Sequence, residues 1–196
     1  GKRDPSMLFE ALKNLISDGV IDPERVEVRF FGSQDPWLFD EIKGAGLEGV
    51  VNVFGFVPRD QALQRQRESQ LLLLLLWNNP QEKGVYTGKV FEYLAAGRPI
   101  ITLGGPEESV VKDLLNETRA GHYATSLEDL EVALSKYYSE YVRTGAIPRT
   151  KESAIMKYSH LEMAKKFADL LDKVQTGAPG HSTVTTCSDS AQKFTQ

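Results

Sequence analysis

Cysteine is nearly absent from this chain, since Cys187 is the single one in 196 residues. One cysteine excludes an internal disulfide framework and a cysteine metal site, and it favours a reducing compartment. The longest apolar run, residues 71–77, is far shorter than the roughly 20 residues that cross a bilayer. The formal net charge is only −4, which gives no global attraction to nucleic acid, although a few lysines can still bind phosphate locally. We therefore expect a cytoplasmic protein that does not bind nucleic acid.

Several catalytic signatures are missing as well. No Ser/His/Asp triad can be assembled by spacing around His122 or His160, and no Asp-x-Asp pair stands at a strand end to hold a divalent metal. Neither the P-loop spacing nor the dinucleotide fingerprint G-x-G-x-x-G is present. We expect neither a bound metal nor a resident cofactor.

What the chain has is an alternation of strand-like and helix-like segments from end to end. This pattern predicts an α/β fold with a doubly wound, Rossmann-like parallel sheet and helices on both faces. The predicted strands are 26–31, 50–56, 71–77, 100–103 and 121–124. The first predicted helix is capped by Asp4 with Pro5 at its first position, and the others cover 37–43, 58–69, 87–96, 107–116, 127–141 and 160–174.

The first helix has no strand before it, because the chain opens directly in the turn 1–4. A doubly wound sheet normally begins with a strand, so we expect a fragment of a longer enzyme, its carboxyl half, with the first strand missing. Residues 1–175 are predicted to form one ligand-binding domain. Gly, Pro, Ser and Thr dominate residues 176–196, where we expect a disordered tail.

The segment from Lys89 to Pro99 carries the most information about function. It follows a buried strand and a polar loop, and its helix is closed by Gly97 and Pro99. The loop and the start of this helix lie at the carboxyl end of a strand, where open α/β sheets bind ligands. Thr87 and Gly88 directly precede Lys89. Gly88 lets a ligand approach the backbone closely, and the free N–H groups at the helix start favour an anion there.

A second anion site is predicted at the N-terminus of the first helix, directly after Lys2 and Arg3. Two such sites on neighbouring strands suit a diphosphate; the alternative for the basic pair is a solvated turn. Glu92 can accept both hydroxyls of a ribose, or it can be a helix-dipole stabiliser or a surface ion pair. Glu82 can bind sugar hydroxyls or remain a solvated loop residue, and Tyr86 can contact a ligand or pack the loop.

With these residues, the chain resembles the carboxyl-terminal, donor-binding domain of GT-B glycosyltransferases of the retaining group 1 family. Gly1-Lys2-Arg3-Asp4-Pro5 is similar to the family's pyrophosphate-binding segment. Residues 92–101, Glu-Tyr-Leu-Ala-Ala-Gly-Arg-Pro-Ile-Ile, match the second half of the signature E-x7-E followed by A-x-G-x-P-[VI]-[IV]. Residues 55–59 resemble the stretch whose backbone borders the base, and the Lys89-x-x-Glu-Tyr pattern is similar to a subgroup that often serves surface polysaccharides. The resemblance spans about Gly1 to Val174.

The resemblance implies a retaining, hexosyltransferase-type enzyme that transfers sugar from a nucleoside-diphosphate donor to a polysaccharide or lipid-linked glycan without a metal. Gly84 stands where the motif has its first glutamate, and we expect the longer loop to bring Glu82 to the sugar instead, as the catalytic carboxylate. The implied donor-binding residues are Lys2, Arg3, Val57, Arg59, Tyr86, Thr87, Gly88, Lys89 and Glu92.

The family places its acceptor site in an amino-terminal domain of the same chain, so the resemblance implies that this fragment binds its donor but does not transfer the sugar. Any association with the inner face of a membrane would come through the missing parts. Two alternatives stay open. One is a GT-B-like nucleotide-sugar epimerase, and the other is a non-catalytic α/β interaction domain, which needs neither the basic pair nor the 89–97 helix.

Overall fold

The structure, a computed structural model, describes residues 3–176. The chain divides into two compact units, Gly1–Ser159 and His160–Gln196. The tail predicted from residue 176 onward, with His181 and Cys187, lies outside the described residues except for Thr176 itself. The domain boundary predicted at residue 175 stays a prediction.

The first unit alternates strands and helices, as the sequence predicts. In chain order its elements are α1 (Ser6–Ser17), β1 (Val28–Phe30), α2 (Pro36–Ala45), β2 (Val51–Val53), α3 (Arg59–Glu68), β3 (Leu72–Leu75), α4 (Gly88–Ala96), β4 (Ile100–Leu103), α5 (Val110–Thr118), β5 (Gly121–Tyr123), α6 (Leu127–Thr144) and α7 (Glu152–Ile155). Short 3₁₀ turns occupy Pro23–Arg25, Pro80–Glu82 and Met156–Tyr158.

Some element boundaries differ from the prediction for local reasons. Pro5 rather than Asp4 is the N-cap of α1, and the Asp4 carboxylate accepts hydrogen bonds from the backbone and hydroxyl of Ser6. α5 begins at Val110 because the Ser109 hydroxyl accepts from the N–H of Val111 and caps the helix there. β2 ends at Val53, before Gly55 turns the backbone to a φ of +74°.

The strands are all parallel and form two hydrogen-bonded ladders. β1 pairs with β2, and β4 pairs with β3 on one side and β5 on the other. Among the described strands, β1, β2, β3 and β5 therefore each have one unpaired edge. The predicted α/β fold with a Rossmann-like parallel arrangement is confirmed, and its described strands form two hydrogen-bonded ladders instead of one.

Side chains of the central strands β3 and β4 alternate between two hydrophobic cores, one on each face of the sheet. Leu73, Leu75 and Ile101 belong to a core that α1, α2 and α6 cover, together with residues of β1 and β2. Leu74 and Ile100 point to the other face and pack against α4 and α5. Because side chains of a strand alternate between faces, this division places helices on both sides of the sheet.

The second unit is described as one helix, α8 (His160–Thr176). Apolar side chains on it are exposed: Leu161, Met163, Phe167, Leu170, Leu171 and Val174. Within residues 3–176, no helix is both long enough and apolar enough to span a bilayer.

Candidate functional site

A cavity of about 450 Å³ lies at the carboxyl ends of β3 and β4. Leu76 and Trp77, which follow β3, form one side, and Pro106 and Ser109, which follow β4, form another. The loop between β3 and α4 contributes Glu82, Val85 and Thr87, and Arg3 enters from the segment before α1. Three predicted site residues, Arg3, Glu82 and Thr87, are thus brought together at the edge where open α/β sheets bind ligands.

The loop that carries Glu82 is anchored at several points. The Asn79 side chain accepts a hydrogen bond from the N–H of Gln81 (3.1 Å) and caps the 3₁₀ turn that contains Glu82. The carbonyl of Lys83 accepts from the N–H of Val110 (2.9 Å), which ties the loop to the start of α5. These contacts hold the Glu82 segment beside the cavity.

The N-terminus of α4 offers unused hydrogen-bonding capacity to the cavity. Thr87 is the N-cap of α4, but its side chain makes no capping hydrogen bond. Its Oγ1 is buried without a hydrogen-bond partner, although buried hydroxyls in proteins are nearly always paired. The first N–H groups of a helix also lack intrahelical partners and favour negative charge. A hydroxyl and a helix start together suit anionic oxygen atoms.

Two glycines that the sequence does not predict as site residues stand between β4 and the lining residue Pro106. Gly104 and Gly105 have φ values of +68° and +87°. A Cβ on Gly104 would lie 2.7 Å from the carbonyl oxygen of Leu76, and one on Gly105 would lie 2.5 Å from the hydroxyl of Tyr123. That hydroxyl donates to the carbonyl of Pro106 (2.7 Å), and partial burial raises the pKa of Tyr123. A Gly-Gly dipeptide directly after a predicted strand indicates a turn with a close backbone approach, so the sequence does contain a signal for this feature.

Glu92, the residue predicted to bind the ribose, forms an ion pair with Arg59, with 2.9 Å between its Oε1 and the Arg59 Nη2. Both were predicted donor-binding residues, and the contact between α3 and α4 brings them together. The side chain of Glu92 is 32% exposed and that of Arg59 is 77% exposed. The ion pair that was the alternative interpretation of Glu92 is therefore present. Exposed pairs of this kind contribute little to stability, about 0–1 kcal/mol, so either partner can exchange the contact for a ligand at small cost.

Among the described residues, the other predicted donor-binding residues, Glu92 and Arg59 included, do not line the cavity. Tyr86 is exposed and packs on Phe91, with ring centroids 5.4 Å apart. Lys89 is exposed in the first turn of α4, and Val57 is half-buried. Lys2 lies outside the described residues. Tyr86 thus shows the loop-packing role that was one of its two alternatives.

His122 has a carboxylate partner, which spacing alone did not indicate. Its Nε2 lies 2.8 Å from Oδ1 of Asp129, at the start of α6. Partial burial by itself raises the pKa of Asp129, but hydrogen bonds from the N–H of Thr125 and from His122 outweigh it and hold that pKa below the ordinary value. The Ser126 hydroxyl accepts a hydrogen bond from the N–H of Asp129 and caps α6. The pattern Ser126-x-x-Asp129 is typical of a helix start, and it is the sequence feature that fixes Asp129 near His122. The described residues contain no group of three His, Cys, Asp or Glu side chains placed to hold a metal.

Comparison with known proteins supports the fold. No protein-family model matches the chain, and no curated protein matches its sequence. Among solved structures, the chain is similar to one described as the lipopolysaccharide outer core galactosyltransferase WaaB in its apo form, with a TM-score of 0.58 and 14% sequence identity. The match covers 89% of this chain and 46% of that structure, so the chain spans about half the length of its neighbour. The chain therefore shares the α/β, Rossmann-like fold of part of that glycosyltransferase structure.

Proposed function

We propose that this chain is the donor-binding half of a retaining glycosyltransferase and binds a nucleoside-diphosphate sugar. The observation that carries the proposal is the carboxyl-edge cavity, where Arg3, Glu82 and the unpaired Thr87 hydroxyl meet beside the N-terminus of α4. The structural likeness to a galactosyltransferase supports the same reaction class. The sequence resemblance adds the retaining, hexosyltransferase assignment.

The diphosphate is bound by the basic segment and the start of α4. Lys2 and Arg3 supply positive charge, while the Thr87 hydroxyl and the backbone N–H groups of Gly88 and Lys89 donate hydrogen bonds to phosphate oxygens. During transfer, the bond between the anomeric carbon and the β-phosphate oxygen breaks while an acceptor hydroxyl oxygen bonds to that carbon. The hydroxyl proton passes to the leaving diphosphate, on which negative charge grows as its bond to the sugar breaks. These fixed positive groups stabilise that charge without a metal.

The nucleoside and the sugar extend from the diphosphate in opposite directions. Glu92 exchanges its ion pair with Arg59 for the ribose hydroxyls, and Val57, Arg59 and Tyr86 border the nucleoside. Glu82, on the anchored loop, accepts hydrogen bonds from the sugar hydroxyls and orients the anomeric carbon. An amino-terminal domain of the full-length enzyme binds the acceptor, a polysaccharide or a lipid-linked glycan. The full-length enzyme works in the cytoplasm or at the inner face of the membrane.

A thermal-stability screen tests donor binding directly. UDP, GDP, ADP and their common sugars are added to the chain at about 100 times the dissociation constant, where binding contributes about 2.7 kcal/mol to the free energy of unfolding. We expect one nucleotide family to raise the melting temperature, with the sugar form at least equal to the diphosphate. A melting temperature that no nucleotide changes at millimolar concentration would contradict the proposal. Loss of full-length activity in EDTA and its return with manganese would contradict the metal-free mechanism.

A further inference from the structure

A second cavity, of about 660 Å³, lies at the opposite edge of the three-stranded sheet. Its lining includes Pro99, which precedes β4, and Arg119, which lies just before β5, so it opens at the amino ends of these strands. Lys136 on α6 and the segment 147–151 complete its walls. The proposed donor site lies at the carboxyl ends of β3 and β4, so the two cavities are separate.

Four cationic side chains line this amino-edge cavity: Arg119, Lys136, Arg149 and Lys151. None of them takes part in any of the ion pairs among the described residues. A cavity wall that holds four cations together attracts anions strongly, because each cation adds to the local potential.

The two carboxylates of the lining are committed to other partners. Glu117 pairs with Lys157 and accepts a hydrogen bond from the hydroxyl of Tyr158. Glu140 pairs with Arg143 at 2.6 Å. Their charges are therefore offset by cations outside the lining, and the four cationic side chains of the cavity keep a positive excess.

Arg149 shows the same excess of positive charge at closer range. The guanidinium of Arg149 lies at the end of α4: its Nη1 is 3.8 Å from the position that a Cβ on Gly97 would take. Gly97 is followed directly by Arg98. Burial and then the charge of Arg149 lower the pKa of Arg98. Arg98 itself donates to the carbonyl of Arg67 (2.9 Å), which is a neutral acceptor. Two guanidinium groups thus interact unfavourably, and a bound anion would relieve the repulsion.

A buried hydroxyl without a partner points to the same place. Thr150 lines the cavity, and its N–H donates to the carbonyl of Gly97 (3.1 Å), which fixes its backbone. Its Oγ1 is buried and has no hydrogen-bond partner. A donor of this kind beside four cations matches a phosphate oxygen, which accepts several hydrogen bonds at once.

Arg119 is held in a backbone conformation that favours glycine. It ends α5 with a φ of +52°, and it is the one non-glycine residue with positive φ among those described. Glycine is the usual residue at this position of a helix end, because a Cβ is unfavourable there. Arg119 thus places its guanidinium at the cavity wall, although glycine at this position would make the backbone more stable.

We propose that the amino-edge cavity binds a small ligand that carries two or more phosphate groups, independently of the donor site. The cations reach it from two sides, Arg119 and Lys136 from α5 and α6, and Arg149 and Lys151 from the segment before α7. One phosphate cannot balance four positive charges, whereas a di- or triphosphate can bridge both sides. The ligand joins three segments of the fold around the amino ends of β4 and β5.

The test uses inorganic tripolyphosphate and backbone amide NMR of the ¹⁵N-labelled chain. We expect saturable shifts at Arg119, Tyr137 and Thr150, with affinity that falls as salt rises. Arg119→Gly should bind at least about tenfold more weakly, because a charge-assisted contact is lost, while its melting temperature without ligand stays the same or rises. Lys136→Gln should also weaken binding, and Lys43→Gln, an exposed charge loss on α2, should not.

The donor site provides an internal reference in the same spectra. Shifts confined to Thr87 and Gly88, with none around Thr150, would overturn this proposal and leave the donor proposal standing. Equal binding by Arg119→Gly, Lys136→Gln and Lys43→Gln would overturn it too. Vesicles containing phosphatidic acid distinguish the source of the phosphates: sedimentation that Arg119→Gly abolishes identifies a lipid headgroup, and tripolyphosphate binding without sedimentation identifies a soluble phosphate compound.

Discussion

At the scale of single residues, the proposed donor site depends on groups that the folded chain leaves unsatisfied or only loosely paired. The Thr87 hydroxyl is buried without a partner, and Glu92 shares a partly exposed ion pair with Arg59. A buried polar atom without a partner lowers stability by about 1–3 kcal/mol, so its presence needs a reason beyond folding. Such residues allow binding and stability to be separated by mutation.

Thr87→Val replaces the unpaired hydroxyl with a methyl group of similar size. We expect stability to stay the same or rise by up to about 1 kcal/mol, because an unsatisfied polar atom is removed. Nucleotide binding should fall by about threefold to tenfold, because one hydrogen bond to phosphate is lost. Chemical denaturation and a titration measure the two effects. Thr102→Val is the matched control: Thr102 is fully buried, its hydroxyl lies 3.4 Å from the carbonyl of His122, and its loss should leave nucleotide binding unchanged.

Glu92 is tested by comparing two proteins with two ligands. Glu92→Ala should bind the ribonucleotide at least about tenfold more weakly, since a hydrogen bond to a charged group contributes about 1.5–3 kcal/mol. The 2′-deoxy ligand has already lost part of that contact and should be affected less. Arg59→Ala removes the ion pair but keeps the carboxylate, so it should retain the preference for ribose. Equal effects of Glu92→Ala on both ligands would restrict Glu92 to its ion pair with Arg59.

At the scale of elements, sequence patterns predict where chains turn better than where side chains meet. β4 has its predicted bounds, and Gly97 closes α4 in the left-handed conformation, because both depend on local residues. Glu82 and Thr87 lie at the cavity because the loop that carries them follows β3, at the carboxyl edge of the parallel strands. The ion pair of Glu92 and the partner of His122 depend on how neighbouring helices face each other, which no single segment encodes.

Gly105 tests how closely the segment after β4 approaches β5. Gly105→Ala would bring a Cβ within 2.5 Å of the Tyr123 hydroxyl at a φ of +87°. We expect a loss of more than about 2 kcal/mol, from backbone strain of about 1–2 kcal/mol plus the clash. The same change in a Tyr123→Phe background should cost less, because the clashing oxygen is gone, yet it should retain the strain. Additive losses in urea denaturation would show that the hydroxyl is not the obstacle.

The start of α6 should make stability depend on acid. The lowered pKa of Asp129 means that its carboxylate stabilises the fold above the unfolded-state pKa of about 3.9, and that this contribution is lost as pH falls through the lower folded pKa. Asp129→Asn removes the titration. Melting curves from pH about 6 to pH about 2 should show the gap between wild type and variant closing on the acidic side. A gap that stays constant would mean that Asp129 acts only through its shape.

At the scale of the whole molecule, the division of the described strands into two ladders is the main departure from one continuous sheet. α1 packs against side chains from both ladders, because Val28 and Phe30 of β1 share a core with Leu73 and Leu75 of β3. α3, which connects β2 to β3, has no buried residue. Arg3, just before α1, lies beside Leu76 at the carboxyl end of β3.

The last prediction is that one added strand joins the two ladders. An extension of about six alternating Val and Ile residues before Gly1 should pair in parallel with the free edges of β1 and β3, since a right-handed crossover through α1 leads from that position to β1. Burial of the Val and Ile side chains should outweigh the conformational entropy lost when the strand is ordered, so the melting temperature should rise. Hydrogen exchange should slow at both strands. The same extension with two prolines cannot donate the ladder bonds and should give neither effect. Slower exchange at β3 alone would show that the extension pairs with a single edge and leaves the sheet in two parts.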